Sequence, residues 1–495
     1  MTKPHLSQSA LLAAALLLQP AVGLAAANPP AKPAPATPAA PAPAAALPSA
    51  PQSRSFGMSL LSAQANAESA AFDAAAEKRA AQVNGPAGKT LTRHQAEQLA
   101  LQNNPRISQY KLLALAQNQV VRESRSALLP TLAINATGVA AEQASRISSG
   151  TVDSSRMLNH MGAGVALSQL ITDFGHTNNL LATSALQARA AGASSLATVD
   201  QIILTTDVAF YNTLEAQATV RVAKQDLAAR QAVRDQIAAL TASKLRSDLD
   251  LSFADVNLSQ AKLFLLDANN LADIAMAQLN RILGLPTSNN YKLVDDADPL
   301  PELALTPDPL LQQAMQQRPD LQAYNFTHQA DLKFANAERD QLLPTVSAIG
   351  LLGTTPVGDK QYYNPDWYGA AGVNVQIPVF NGLLFTAQTA EARLRARASD
   401  QRTRNLTERI QRDVKSAWLN ANTARQKMTV TAELLKEANM ALDLAQTRYN
   451  LGLSSIVELS QAEYQQTQAA IQDVNARFAY ESALSNIRFQ TGVQP

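Results

Sequence analysis

The sequence predicts an α+β membrane protein in which one unit, made of short strands and a long helical hairpin, occurs twice. The repeat is visible at residues 104–131 and 318–345, where a Tyr and then a second Pro follow the first Pro at the same intervals. Charge-free runs that alternate with a period of two come next in both copies, as in strands of a transmembrane β-barrel. Proline is then absent from residues 131–285 and 379–494, where helical spacing prevails.

Composition limits the possible functions. The 495-residue chain carries a formal net charge of +1, which gives no electrostatic reason to expect nucleic acid as a partner. It contains no Cys, so disulfides, thiolate catalysis and thiolate metal sites are excluded. Its five His lack paired metal-ligand spacing, and neither a nucleophile elbow nor a dinucleotide fingerprint occurs. We therefore expect no enzymatic activity, no cofactor and no metal site.

The N-terminal region has the features of a secretory signal peptide over residues 1–27, with a Lys, a short apolar stretch and a small-residue cleavage site. Residues 28–88 are rich in Ala and Pro and are expected to form a disordered spacer. At the end of the spacer, the segment 85–90 is similar to part of a phosphate-binding loop. Its glycines are too close together and no strand precedes them, so an ordinary turn is expected.

Two repeats and a linker are expected, at residues 89–285, 286–310 and 311–495. A capping box formed by Thr92 and Gln95 predicts a short helix at the start of the first repeat. A longer helix then begins at a proline, which is favoured in a first helical turn. One such longer helix is expected in each repeat, at about 105–128 and 319–342.

Four runs lack Asp, Glu, Lys and Arg and occupy matching places in the repeats: residues 126–141, 157–172, 341–358 and 367–390. Alternating apolar and small or polar residues within them predict strands at about 131–141, 161–172, 345–354 and 368–379. A charge on the lipid-facing side of a barrel strand costs about 2–4 kcal/mol at the bilayer midplane, which explains the absence of charge. Aromatic residues such as Tyr362, Trp367 and Phe380 match the interfacial girdles of membrane barrels. A soluble antiparallel sheet is the alternative interpretation.

Long helices follow each strand pair. Apolar residues at heptad spacing indicate a coiled-coil seam, and they are Leu196, Val199, Ile203, Phe210 and Leu214 in the first repeat and Leu434, Ala438, Ala441 and Ala445 in the second. The first helix is expected from about Thr177 to Ala242, close to 100 Å. Reversals are expected at residues 243–248 and 450–455, so each repeat ends in a helical hairpin with a tip.

The doubled plan, the Leu-Pro entries to the strands and the sequence Tyr449-Asn450-Leu451-Gly452 before Val457-Glu458-Leu459 together resemble the TolC-like outer-membrane efflux proteins. The resemblance covers about residues 91–494. It implies a homotrimer in which each protomer gives four strands to one twelve-stranded outer-membrane β-barrel, continued by a long periplasmic α-helical coiled-coil barrel. The need for an oligomer also follows from the strands, because four strands cannot close a barrel and lipid tolerates no open sheet edge.

The resemblance assigns roles at the hairpin tips. Tyr449 and Asp250 match the positions of a hydrogen bond that closes the channel, so Tyr449→Phe is expected to raise the resting conductance. Glu458 matches a carboxylate that rings the pore constriction, where three copies would favour cations. The alternative interpretations are hairpin packing for Tyr449 and a solvated helix-face carboxylate for Glu458.

Docking of partners is also implied at the tips. Ser454 stands where the best-known member of the family has a closing Arg, and Lys244 stands where the first repeat often has Gly. Lys244, Gly452 and Ser454 are therefore expected to mark the surface that a periplasmic adaptor engages. The other implied partners are an inner-membrane RND-type or ABC-type transporter and outer-membrane lipid.

These expectations describe a passive outer-membrane exit duct of a tripartite envelope-spanning export system. Small-molecule efflux is the favoured cargo, and export of unfolded protein by a type I secretion system is the alternative. A periplasmic coiled-coil scaffold or adaptor without a barrel is a rival from a different class. The charge-free strand runs argue against the scaffold, and a carbonate wash of outer membranes would separate the two.

Overall fold

The structure, a computed structural model, describes residues 90–140, 146–149, 152–156, 160–286, 291–295, 303–354 and 367–493. The predicted signal peptide, the predicted spacer with its loop-like segment, and Tyr362 lie outside these residues. None of the helices in the described part of the chain combines the length and apolarity needed to cross a lipid bilayer.

The first repeat runs through β1 (Thr90–Leu91), α1 (Arg93–Asn103), α2 (Pro105–Ser126), β2 (Thr131–Val139), β3 (Arg146–Ser149), β4 (Val152–Arg156), β5 (His160–Thr172), α3 (His176–Ala242) and α4 (Asp248–Ile282). After β6 (Lys292–Leu293), the second repeat runs through α5 (Asp308–Gln317), α6 (Pro319–Asp340), β7 (Thr345–Thr354), β8 (Tyr368–Gln376), α7 (Leu384–Asn450) and α8 (Ile456–Thr491). In both repeats, two helices lead to two main strands and then to a long helical hairpin.

One antiparallel sheet contains the main strands of both repeats in the order β2-β5-β7-β8. The sheet is a single layer, so apolar side chains such as Leu132 and Val373 are exposed in the protomer. Strands β2 and β8 form its two edges, and neither has a second partner strand among the described residues. Both edges therefore offer backbone N–H and C=O groups to another chain.

Prolines determine where the strands begin and end. Pro130 and Pro344 directly precede β2 and β7. Strand β8 ends at Gln376, before the predicted end at 379, because Pro378 has no N–H to donate to a ladder. Gln376, the last residue of β8, pairs with Thr345, the first residue of β7. The two strands therefore stop at the same end of the sheet.

The helices that follow the strands are unusually long. Helices α3 and α7 each contain 67 residues, which corresponds to about 100 Å. Phe210 and Leu214 of the first predicted seam and Ala438 and Ala445 of the second are buried, whereas Leu196 and Leu434 are exposed in the protomer. The reason is that α3 contacts α2 and α6 in one part and α4 and α8 in another. A helix that changes partners along its length does not keep a single buried stripe.

The main core forms where α1, α3, α4 and α8 meet, around Phe210, Leu279 and Phe478. The capping box of α1 is confirmed, with Thr92 and Gln95 bonding reciprocally. Two features of the connection between the repeats are absent from the sequence prediction. Strand β6 pairs in parallel with β1, and α5 begins at Asp308, inside the predicted linker.

A polar network holds α1 against α3 within this core. Arg93 forms ion pairs with Glu97 of its own helix and, at 3.8 Å, with Asp207 of α3. Burial and the neighbouring Glu97 raise the pKa of Asp207 to about 7. These residues line a cavity of about 270 Å³. In the described part of the chain, no group of at least three His, Cys, Asp or Glu residues is placed to hold a metal ion.

Candidate functional site at the hairpin tips

The chain reverses direction between α3 and α4 and again between α7 and α8, through turns with the same hydrogen bonds. The amide groups of Leu245 and Leu453 donate back across the last helical turn, over 2.9 and 2.8 Å. Lys244 and Gly452 occupy equivalent left-handed positions, with φ of 59° and 75°. A left-handed residue combined with this bond is the Schellman ending of a helix. Both tips therefore have the same backbone, although only one of them has glycine at the left-handed position.

Serine N-caps begin the two returning helices. The Oγ atoms of Ser247 and Ser455 accept hydrogen bonds from the amides of Asp250 and Glu458, at 3.2 and 3.4 Å. Asp250 and Glu458 are therefore equivalent residues in the first turns of α4 and α8, where a helix dipole stabilises a carboxylate.

The surroundings of these two carboxylates differ. Glu458 Oε1 lies 3.1 Å from Arg448 Nε of the same hairpin, and 45% and 55% of these side chains are exposed. Asp250 forms no ion pair with any described residue. The charge of Glu458 is thus partly compensated by Arg448, a partner that the sequence analysis did not anticipate.

Tyr449 lies at the contact between the two hairpins. It is 2% exposed and packs against Ile237 of α3 and Leu459 of α8. Burial raises the pKa of its hydroxyl, Arg246 opposes this rise and Asp250 adds to it. The expected hydrogen bond to Asp250 is not formed in the protomer: the Tyr449 hydroxyl is buried and has no hydrogen-bond partner among the described residues. Apolar packing and Arg246 hold the ring instead.

Arg246 connects the first tip to the second. Its guanidinium carbon lies 4.2 Å from the centroid of the Tyr449 ring, and its Nη2 donates to the Tyr449 carbonyl oxygen. A cation over an aromatic ring contributes about 0.5–2 kcal/mol, and a hydrogen bond from a charged group adds to this. Arg246 was not among the tip residues predicted from the sequence. The repeat carried a signal for it, because Arg246 precedes the N-cap Ser247 as Ser454 precedes Ser455.

Ser454 makes no corresponding link, since its hydroxyl is buried without a hydrogen-bond partner. Polar side chains nearby join the hairpins at two further points. Gln236 Nε2 donates to Asn450 Oδ1 at 3.2 Å, and Asn257 Nδ2 donates to Ser460 Oγ at 2.7 Å. The two tips are therefore held together by contacts that can break one at a time.

Apolar side chains cover the outer surface of the tips. Four leucines are between 64% and 70% exposed, namely Leu245, Leu249, Leu451 and Leu453. Lys244, directly before Leu245, and Gly452, between Leu451 and Leu453, are also exposed. A cluster of exposed apolar residues with a polar rim is typical of a protein interaction site.

The family model described as outer membrane efflux protein matches residues 96–285 and 310–493. Among characterised proteins, the outer membrane protein TolC of Escherichia coli (strain K12) is 24% identical over 434 residues, which cover 80% of this chain and 81% of TolC. The outer membrane protein TolC of Salmonella enteritidis is also 24% identical, over 428 residues, with the same coverage.

Solved outer membrane channels have the same fold. The CmeC channel of Campylobacter jejuni has a TM-score of 0.70 at 18% identity, over 81% of this chain and 85% of CmeC. The MtrE channel of Neisseria gonorrhoeae, solved in its open state, has a TM-score of 0.69 at 19% identity, over 81% of this chain and 88% of MtrE. The predicted combination of membrane strands with long helical hairpins is therefore confirmed.

Proposed function

The chain belongs to the outer membrane efflux protein family, and from this premise we propose that it is the exit duct of a tripartite export system spanning the cell envelope. It is an outer-membrane protein with a periplasmic helical part, in a family of channels rather than enzymes. One observation carries the proposal. Each pair of membrane strands leads into a 67-residue helix, so a single chain joins the membrane to tips about 100 Å away.

A homotrimer with a twelve-stranded barrel is the assembly we propose. The four-stranded sheet has open edges at β2 and β8, and lipid tolerates no open edge. The helices next to the sheet follow the same order, α2-α3-α6-α7, with α2 and α7 outermost. Leu112 and Leu113 of α2 and Leu394 and Leu419 of α7 are exposed. Joining β8 and α7 of one protomer to β2 and α2 of the next would close both layers at once.

The gate of the proposed duct lies at the tips, where Tyr449, Asp250 and Glu458 surround the contact between the hairpins. Arg246 supplies the cation that holds the tips closed. Opening requires α3 and α4 to move away from α7 and α8, which breaks the contact of Arg246 with Tyr449. Glu458 contributes a weaker cation preference than an unpaired carboxylate would, because Arg448 lies beside it.

The exposed tip leucines, with Lys244, Gly452 and Ser454, form the docking surface for a periplasmic adaptor. An adaptor that covers these apolar side chains gains burial energy, and it gains more when the tips spread. The adaptor in turn connects the duct to an inner-membrane transporter, of RND type for small-molecule cargo, which we propose, or of ABC type for protein cargo.

Cross-linking in cells tests this proposal. Leu453→Cys is the better probe, because Gly452 has a left-handed φ of 75° that a Cys would strain. The control is Leu305→Cys, a position that is even more exposed than Leu453 and lies before α5, far from the tips. Capture of an adaptor together with a proton-driven pump at position 453 only is the expected result. Capture of an ABC transporter would identify a protein-secretion duct, and equal capture at both positions would contradict the tripartite system.

A further inference from the structure

A buried ionic cluster joins the two hairpins above the tips. Its members are Asp226 and Arg230 of α3 and Glu463 and Thr467 of α8. Arg230 Nε lies 2.8 Å from Asp226 Oδ1, with only 8% and 7% of the two side chains exposed. Thr467 Oγ1 donates to the same Asp226 oxygen at 2.8 Å. One carboxylate of the first hairpin therefore accepts hydrogen bonds from both hairpins.

The hydroxyl of Thr467 also lies 3.0 Å from the carbonyl oxygen of Glu463. A hydroxyl has one proton to donate, and a carboxylate is the stronger acceptor. The proton therefore goes to Asp226, and the hydrogen bond across the hairpins is a charge-assisted one.

Arg230 is the cation that faces two carboxylates. Glu463 is buried beside the Asp226–Arg230 pair. Burial raises the pKa of Glu463, the Arg230 guanidinium opposes the rise and Asp226 adds to it. Removing one partner of a buried ion pair is strongly destabilising because the other charge is left uncompensated. Pulling α3 away from α8 at this level would separate Arg230 from Glu463 and Thr467 from Asp226.

The position of the cluster relates it to the gate. Gln236 of α3 bonds Asn450 at the end of α7, and Arg230 lies about 9 Å farther from the tip along α3. A cavity of about 190 Å³ adjoins the cluster and is also lined by Leu442 of α7. Between Arg230 and the end of α3, about 18 Å of helix is joined to the second hairpin by the weaker contacts described above.

The first hairpin provides a matched ion pair at the equivalent place. Asp255 follows Ser247 in α4 as Glu463 follows Ser455 in α8. Asp255 Oδ1 lies 2.9 Å from Arg234 Nε, but 49% and 35% of these side chains are exposed and both belong to the first hairpin. Arg230 and Arg234 are thus neighbouring arginines on α3. The partner of Arg230, Asp226, also accepts a hydrogen bond from Thr467 of the second hairpin, whereas Arg234 pairs with exposed Asp255 of the first hairpin.

We propose that Arg230 and Asp226 are positioning residues of the gate: the buried cluster holds α3 to α8 and sets the level below which the hairpins separate. This inference rests on the proposed function, because it concerns the motion that opens the duct. With the cluster intact, movement is confined to the end segment of each hairpin. Without Arg230, two buried carboxylates lose their common cation and the separation extends upward.

The test compares Arg230→Met with Arg234→Met in purified assembled protein. In planar bilayers, we expect Arg230→Met to raise the open probability at least about tenfold and Arg234→Met to change it less than about twofold. Equal open probabilities for the two variants would overturn the proposal. A purely structural role for Arg230 would lower the yield of assembled protein and leave the open probability of each assembled channel unchanged.

Two further measurements keep the outcome decisive. If Arg230→Met does not assemble, Thr467→Val replaces it, because this change keeps every charge and removes the hydrogen bond to Asp226. Thr467→Val should raise the open probability. The control Thr205→Val, on another part of α3, should not. The second measurement needs no conductance. Because the chain has no Cys, Asn257→Cys with Ser460→Cys reports proximity by disulfide formation.

This disulfide should form more slowly with Arg230→Met than with Arg234→Met. Absence of ion conduction in the wild type and in every gate variant would contradict the proposed function, yet slower disulfide formation would still support the cluster as the fastening of the hairpins. Equal rates in both backgrounds would overturn the inference even in a conducting channel.

Discussion

The turn between α3 and α4 and the turn between α7 and α8 follow the same backbone path, from the Schellman bond to the serine N-cap, yet they carry different side chains. Lys244 stands opposite Gly452, and Arg246 stands opposite Ser454. The first tip extends a cation to the second hairpin through Arg246. The second tip keeps its ion pair, Arg448 with Glu458, within its own hairpin.

The two tips show that a repeated turn can keep its backbone conformation while its side-chain contacts change. Local hydrogen bonds determine the shape of each tip, so the shape is retained when side chains change. The contact between the two tips needs only one cation, and either repeat can provide it. We propose that the closing role, which similarity places at Ser454, belongs in this chain to Arg246, the residue at the equivalent place in the other repeat.

Arg246→Ala should have the largest effect on the closed state of the tips. Loss of its cation–π contact and its hydrogen bond to Tyr449 removes about 2 kcal/mol from the closed state, which shifts the closed-to-open ratio roughly 30-fold. The open probability in planar bilayers measures this. Arg448→Ala, at the exposed pair of the second tip, serves as the control and should change it little. Equal effects of the two substitutions would mean that the tips are not asymmetric.

The left-handed residues test whether the two turns have equivalent backbones. Gly452→Ala should destabilise its turn by about 1 kcal/mol because of the positive φ alone, since no atom lies within 4 Å of the added Cβ. Lys244→Gly should stabilise the first turn by up to about the same amount. Hydrogen exchange of the Leu453 and Leu245 amides, which close the turns, should change about fivefold in opposite directions. Exchange that moves in the same direction in both variants would contradict the equivalence.

Glu458→Gln tests how far Arg448 compensates the carboxylate of the second tip. The permeability ratio of potassium to chloride should fall by less than about twofold, because the exposed pair with Arg448 already offsets part of the charge. Asp250→Asn, which removes the equivalent carboxylate without an ion partner, should lower the ratio more. A larger effect of Glu458→Gln than of Asp250→Asn would reverse this order.

Tyr449→Phe should have the smallest effect. The hydroxyl is buried with no hydrogen-bond partner among the described residues, so its removal should shift the free-energy difference between the closed and open states by no more than about 0.5 kcal/mol. Tyr449→Ala, which removes the ring beneath Arg246, should act like Arg246→Ala. A clear rise in conductance with Tyr449→Phe would show that the assembled duct forms the Asp250 bond that the protomer lacks.

The strands and the tips were accessible from the sequence because local pattern encodes them. Alternation between Pro344 and Pro378 determines which side chains share a face of the sheet, and the period of two needs no knowledge of distant residues. The left-handed conformation of Lys244 follows from its alignment with Gly452 in the repeat. Thr92 and Gln95 specify the start of α1 in the same local way.

The contacts between the hairpins were not accessible in this way. Arg246 and Tyr449 are 203 positions apart, and Asp226 and Thr467 are 241 positions apart. The face of α3 that contacts α8 depends on how the two helices pack. The sequence of neither helix identifies the helix that it packs against. The same reason explains the exposure of Leu196 in the protomer and the missed pairing of β1 with β6.

The open edges of the sheet at β2 and β8 have a consequence for inheritance. In the proposed trimer, no protomer completes its membrane form alone, so wild-type and variant chains made in one cell share the same ducts. With equal amounts of both, only about one duct in eight contains wild-type chains alone. A substitution that blocks the passage in any one subunit is therefore dominant, whereas a substitution that prevents folding leaves the wild-type chains to assemble among themselves and is recessive.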